Sequence, residues 1–242
     1  MRKSAKYIFG AAAVLLLIVA GTILPGELAA GRDRMILGQV YSEPLDTAEL
    51  SDYINVSMVD KVSLLEQAAG ATLVRLNTGA VYDQDTVRAQ FMGELGKLHA
   101  LRFYPLEAER GVSAFRSAVA LYIQNDAPAI NMIVWEIHMR ADSLSGVFYM
   151  DDQTGRILSF TFSGNGFGEQ IYDESMVKEW AAYLGVGARN IKAGGQAEAR
   201  QTREALYHFE LFSGSRAVNG QISSSVQAGA GTQNRWSVSY VS

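Results

Sequence analysis

Cysteine is absent from the 242 residues, which excludes disulfides, thiolate zinc sites, thiol nucleophiles and lipidation at a cysteine. Histidine is scarce, with only three residues to serve acid–base or metal chemistry. An excess of positive charge is also missing. With 21 Lys+Arg against 25 Asp+Glu, the net charge is −4 and the pI near 5.4, which argues against a dedicated nucleic-acid binder. What is present suits a folded chain: 48% hydrophobic and 10% aromatic residues can build a core that a disordered sequence could not.

Long uncharged runs are confined to the start. Arg2, Lys3 and Lys6 precede an uncharged stretch from Tyr7 to Leu24, closed by Pro25. As a helix it would be roughly 27 Å long, close to the hydrocarbon thickness of a bilayer. All three cations lie on its N-terminal side, so the positive-inside rule keeps that end cytoplasmic and the rest of the chain outside. A cleaved signal peptide is the competing reading, but Leu28-Ala29-Ala30 is a poor cleavage site and the apolar run is long for a signal core. Residues 1–24 are therefore expected to be a cytoplasmic N-terminus and a retained transmembrane anchor in the cell membrane. Without Arg2, Lys3 and Lys6, 18 Lys+Arg face 25 Asp+Glu, so the outer part carries a net charge of −7.

Residues 25–56 read as a stalk, punctuated by Pro25-Gly26 and Glu43-Pro44. Val59, Val62, Leu65 and Ala69 form a helical stripe stopped by Gly70, and Thr72–Leu76 reads as a short strand. Two similar stretches follow. In the first, Asp85 caps a helix whose Val87, Phe91, Leu95, Leu98 and Leu101 share one face. Alternating runs then span Ile133–Met139, Gly146–Met150 and Ile157–Phe162, with a hairpin turn at Asp151–Gly155. In the second, Asp173 caps a helix with Met176, Val177, Trp180, Tyr183 and Leu184 inward, and Gly185 follows at C′. After a polar segment at residues 192–204 come strands at Leu206–Phe212, Gln221–Gln227 and Arg235–Val241. Serines alternate with Trp236, Val238 and Tyr240 in the last of these. The expected fold is α+β: a transmembrane helix, then two tandem modules at 57–168 and 169–242, each a helix packed on an antiparallel sheet.

The run Val134-Trp135-Glu136-Ile137-His138, followed by Gly146–Met150 and Asp151-Asp152-Gln153-Thr154-Gly155-Arg156-Ile157, resembles the hairpin of PepSY-type domains. In that family a Trp-bearing strand leads into a strand ending in Asp-x-x-Thr-Gly and a hydrophobic residue. The resemblance implies a secreted or membrane-anchored bacterial protein that restrains a peptidase or senses at the cell surface. It brings no catalytic residues.

Chemistry-bearing patterns are few. His99 sits among helix residues and reads as structural. His138 shares a strand face with Glu136 and Arg140, and His208 shares one with Glu210. These pairs would suit zinc only if their strands met. Gly164, Gly166 and Gly168 are followed by Glu169 where a dinucleotide loop needs its third glycine, so they read as a turn between modules. The Asp151-Asp152 turn lacks the alternating ligands of a calcium loop. Ser223-Ser224-Ser225 reads as strand, not as a nucleophile elbow, and Asn55-Val56-Ser57 is a sequon of consequence only in a eukaryotic secretory route. Trp135, Trp180 and Trp236 are expected in the cores.

The sequence thus leads to a non-catalytic, membrane-anchored, extracytoplasmic protein that binds and regulates another envelope protein: a sensor kinase, a peptidase or a wall hydrolase. No catalytic residue, cofactor, metal or nucleic acid is assigned. Membrane contact runs through residues 7–24, and strand addition at the C-terminal strand, read as a sheet edge, is the expected docking mode. The alternative is a sensor holding a peptide, wall fragment or other small molecule between the modules. A carboxylate or metal hydrolase ranks below both.

Overall fold

The computed structural model describes residues 56–67, 71–106, 111–124, 130–165, 171–199, 202–227 and 234–241, all within one compact unit. The expected membrane anchor at 7–24, the stalk before Val56, and Asn55, Ala69, Gly70, Gly166 and Gly168 lie outside the described residues. No helix among the described residues is long and apolar enough to cross a membrane.

Helix α1 (Met58–Glu66) is capped by Ser57, whose hydroxyl accepts from the Asp60 N–H at 3.2 Å. Strand β1 (Thr72–Leu76) follows, then α2 (Val87–Ala100). The anticipated Asp85 cap is corrected. The helix starts after Thr86, and Asp83 accepts from the N–H groups of Asp85 and Thr86 and from the Thr86 hydroxyl. These bonds hold the Asp83 carboxyl below the usual range. Gly93 and Gly96 weaken α2 intrinsically, and the fully buried Phe91, Leu95 and Leu98 hold it in place.

Four strands follow: β2 (Val112–Gln124), β3 (Ile130–Ala141), β4 (Leu144–Asp151) and β5 (Ile157–Gly164). Helix α3 (Glu174–Leu184) matches its sequence signals closely. Asp173 accepts from Ser175 N–H and Met176 N–H, and Gly185 closes the helix at φ 76°. Then come β6 (Gly187–Ala199), β7 (Thr202–Ser213), β8 (Arg216–Gln227) and β9 (Asn234–Tyr240).

The expectation of two tandem modules, each with its own sheet, is overturned. All nine strands form one antiparallel sheet in the order β1-β2-β3-β4-β5-β9-β8-β7-β6, with only three helices described. Each half is a meander as read from the sequence, but β5 and β9 pair with each other from Phe160↔Val238 to Gly164↔Asn234. Aromatic packing fixes that seam: Phe162 stacks on Trp236 with ring centroids 5.1 Å apart. The C-terminal strand expected at an edge is therefore central, and the edges are β1 and β6. The segment 192–204, read as merely polar, belongs largely to β6 and the start of β7.

A single hydrophobic cluster spans both halves. Phe148, Phe160, Phe162, Trp236 and Val238 point to one face of the sheet, where they meet α2 through Phe91 and α3 through Trp180. Glu94 of α2, only 2% exposed, joins the two helices by accepting from the Tyr183 hydroxyl at 2.7 Å. Tyr183 in turn accepts from Ile157 N–H at 2.7 Å. Burial, reinforced by Glu94, raises this phenol far above its ordinary range, so it stays protonated as the donor.

Candidate functional site

The hairpin turn that carries the family resemblance is an internal lock. Asp151 and Asp152 are 1% and 2% exposed, unlike the solvated turn residues their composition suggests. Asp151 takes the Lys61 ammonium from α1 on both carboxylate oxygens, at 2.9 and 2.8 Å, while Gln153 accepts from the same ammonium at 2.6 Å. Thr154 donates its N–H and hydroxyl to Asp151 as well. Asp152 accepts the indole N–H of Trp135 at 2.7 Å, and three successive amides, of Ala80, Val81 and Tyr82, close around it. Gly79 permits that wrap, because a Cβ there would lie 1.9 Å from Asp152 Oδ1. Every polar atom of the two carboxylates is thus turned inward, binding together α1, the segment 79–82 and β3.

The remaining sequence candidates scatter. Nδ1 of His99 lies 3.0 Å from the Tyr104 carbonyl. His138 contacts Glu136 at 2.6 Å on β3, whereas Glu210 on β7 is taken by Arg189 and Asn190. β4, β5, β9 and β8 lie between β3 and β7, so the two His/Glu pairs do not meet. Among the described residues no cluster of three or more His, Asp or Glu side chains could hold a metal ion. Ser223 bonds Ser237 at 2.7 Å, Ser224 accepts from Tyr172 N–H, and Ser225 donates to Glu204. Trp135, Trp180 and Trp236 are buried, in one core rather than two.

The feature that sequence reasoning missed lies on the other face of the sheet. A groove of about 830 Å³ crosses the strands there, lined by Arg116, His138, Arg140, Thr161, Glu204 and Arg235 among others. Strand alternation sets its chemistry, because the core residues point to the helices and their neighbours must point away. Two rows of register partners form the floor. One runs Arg116–His138–Val147–Thr161 and continues beyond the groove to Ser237 and Ser223, the other Ala114–Arg140–Ser145–Ser163–Arg235–Ser225–Glu204. The floor is hydroxyl-rich and carries three arginines. Among the described residues none of the three is ion-paired. The sequence signals for this face were the serine alternation of β9 and the shared strand face of Glu136, His138 and Arg140; the register that brings Arg140 and Arg235 onto one row is not visible in either strand alone.

No protein-family model, curated protein or solved structure matches the chain.

Proposed function

We propose that this protein is a non-catalytic binding module that recognises another envelope protein through the open face of its sheet and thereby regulates it. The observation that carries the reading is the groove itself. It is a hydroxyl-rich surface drawn from both halves of the chain, with arginines free of carboxylate partners among the described residues, in a chain of net charge −4. The cation-flanked apolar run at 7–24 supports tethering at the membrane, which would raise the effective concentration of the module near a membrane-bound partner. The resemblance of residues 134–157 to PepSY-type hairpins agrees with a restraining or sensing role.

The cysteine-free chain allows a direct test. A thiol-reactive photocrosslinker on Thr161→Cys, mid-groove, is expected to yield a specific adduct in native membranes. The same probe on Ser175→Cys, exposed on α3, should not. Adducts of equal yield and identity from both positions would contradict the reading.

A further inference from the structure

Resting on that reading, we infer that the groove takes an extended peptide segment lying across the strands, with two acidic residues followed by a basic one. The second floor row has a definite charge order: Arg140, Ser145, Ser163, Arg235, Ser225, Glu204, each the register partner of the next. Arg140, Arg235 and Glu204 are all exposed. Neighbouring strands lie about 4.8 Å apart, so the two arginines are separated by roughly 14 Å and Arg235 from Glu204 by roughly 10 Å. An extended chain advances about 3.3 Å per residue, so those gaps correspond to about four and three residues. The complementary ligand is therefore acidic at one position, acidic about four residues on, and basic about three residues beyond that. Ser145 and Ser163 supply hydroxyls between the arginines for the peptide backbone.

The row also discriminates between classes of ligand. A uniform polyanion such as polyphosphate would satisfy the arginines but set a charge against Glu204, which among the described residues has only a 3.5 Å contact from the Ser225 hydroxyl. Arg116, the register partner of His138 on the adjoining row, adds positive potential on the same side as Arg140. Ala114 and Val147 add apolar contact that has no direction, so the charges set the order of the ligand and salt would weaken binding.

The test uses the full chain in detergent and a peptide Glu-Ser-Gly-Ser-Glu-Ser-Gly-Lys carrying a neutral dye, followed by fluorescence anisotropy. Arg140→Glu/Arg235→Glu is expected to weaken binding at least tenfold, with an unchanged circular dichroism spectrum. A charge-inverted peptide, Lys-Ser-Gly-Ser-Lys-Ser-Gly-Glu, should bind that variant better than it binds the parent. Glu204→Lys should weaken the first peptide and strengthen polyphosphate. Polyphosphate binding that is tighter than the peptide and indifferent to Glu204→Lys would overturn the inference in favour of a polyanion. Undetectable peptide binding would overturn it too. If Thr161→Cys nonetheless captures a partner, only the charge-ordered peptide falls; if it captures none, the open-face reading falls with it.

Discussion

Ending the chain at residue 233 is expected to unfold both halves of the molecule, not the second alone. The lost strand, β9, lies between β5 and β8, and Trp236 and Val238 are 1% and 0% exposed. Tyr240 accepts from the Trp180 indole at 3.2 Å and donates to the Leu158 carbonyl at 2.8 Å, tying α3 to β5. Ser159 donates to the Val238 carbonyl as well. Emptying the Trp236 site alone would cost about 3–5 kcal/mol. Removing the whole strand also strips hydrogen-bond partners from two neighbours, against a total stability of about 5–15 kcal/mol for a typical domain. The expected readout is loss of the native fluorescence and near-ultraviolet dichroism of Trp135, which sits on β3 well away from the deletion. Native signal from Trp135 in the shortened chain would show that the first half stands alone.

The second large effect is expected at Lys61. The Lys61 and Asp151 side chains are 4% and 1% exposed, and Lys61 closes α1 onto the β4–β5 turn. Lys61→Met leaves a buried carboxylate without its cation, which should cost about 3–5 kcal/mol in urea unfolding. Adding Asp151→Asn removes the stranded charge while leaving an oxygen to accept from Thr154. The double variant should therefore be more stable than Lys61→Met alone. A loss below about 1 kcal/mol for Lys61→Met would mean that the pair is not desolvated as described.

Both predictions fall where the sequence was least informative. Local signals served well: the Asp173 cap, the Gly185 stop and the apolar stripe of α3 involve neighbours within a turn or two. The strand content of the second half was equally visible in the alternation along β7, β8 and β9. Neighbour relations were not. Serine alternation in β9 reports one wet face, and that pattern is the same for a central strand as for an edge. β2 was missed because Ala114, Ala118 and Ala120 blur its period, and β6 because an edge strand wet on much of its surface shows no apolar alternation. Asp151 and Asp152 look like any hairpin turn; their burial is imposed by Lys61, ninety residues earlier, and by the amides at 80–82. Of the groove, its individual residues were legible but not their common row, which exists only once β5 meets β9.

That meeting is the central claim, since it makes the two halves one sheet and the groove one surface. The direct measurement is a disulfide between Thr161→Cys and Ser237→Cys, which are register partners across the seam, on the sheet face that carries the groove. Directly opposed residues of antiparallel strands have Cα atoms about 4.5–5.5 Å apart, within the range a disulfide spans. In the otherwise cysteine-free full chain, mild oxidation should give a rapid intramolecular bond. A control pair, Thr161→Cys with Leu206→Cys on β7, about 14 Å away, should not close. Failure of the Thr161–Ser237 pair to form, or its closing no faster than the control, would contradict the single sheet and the groove that depends on it.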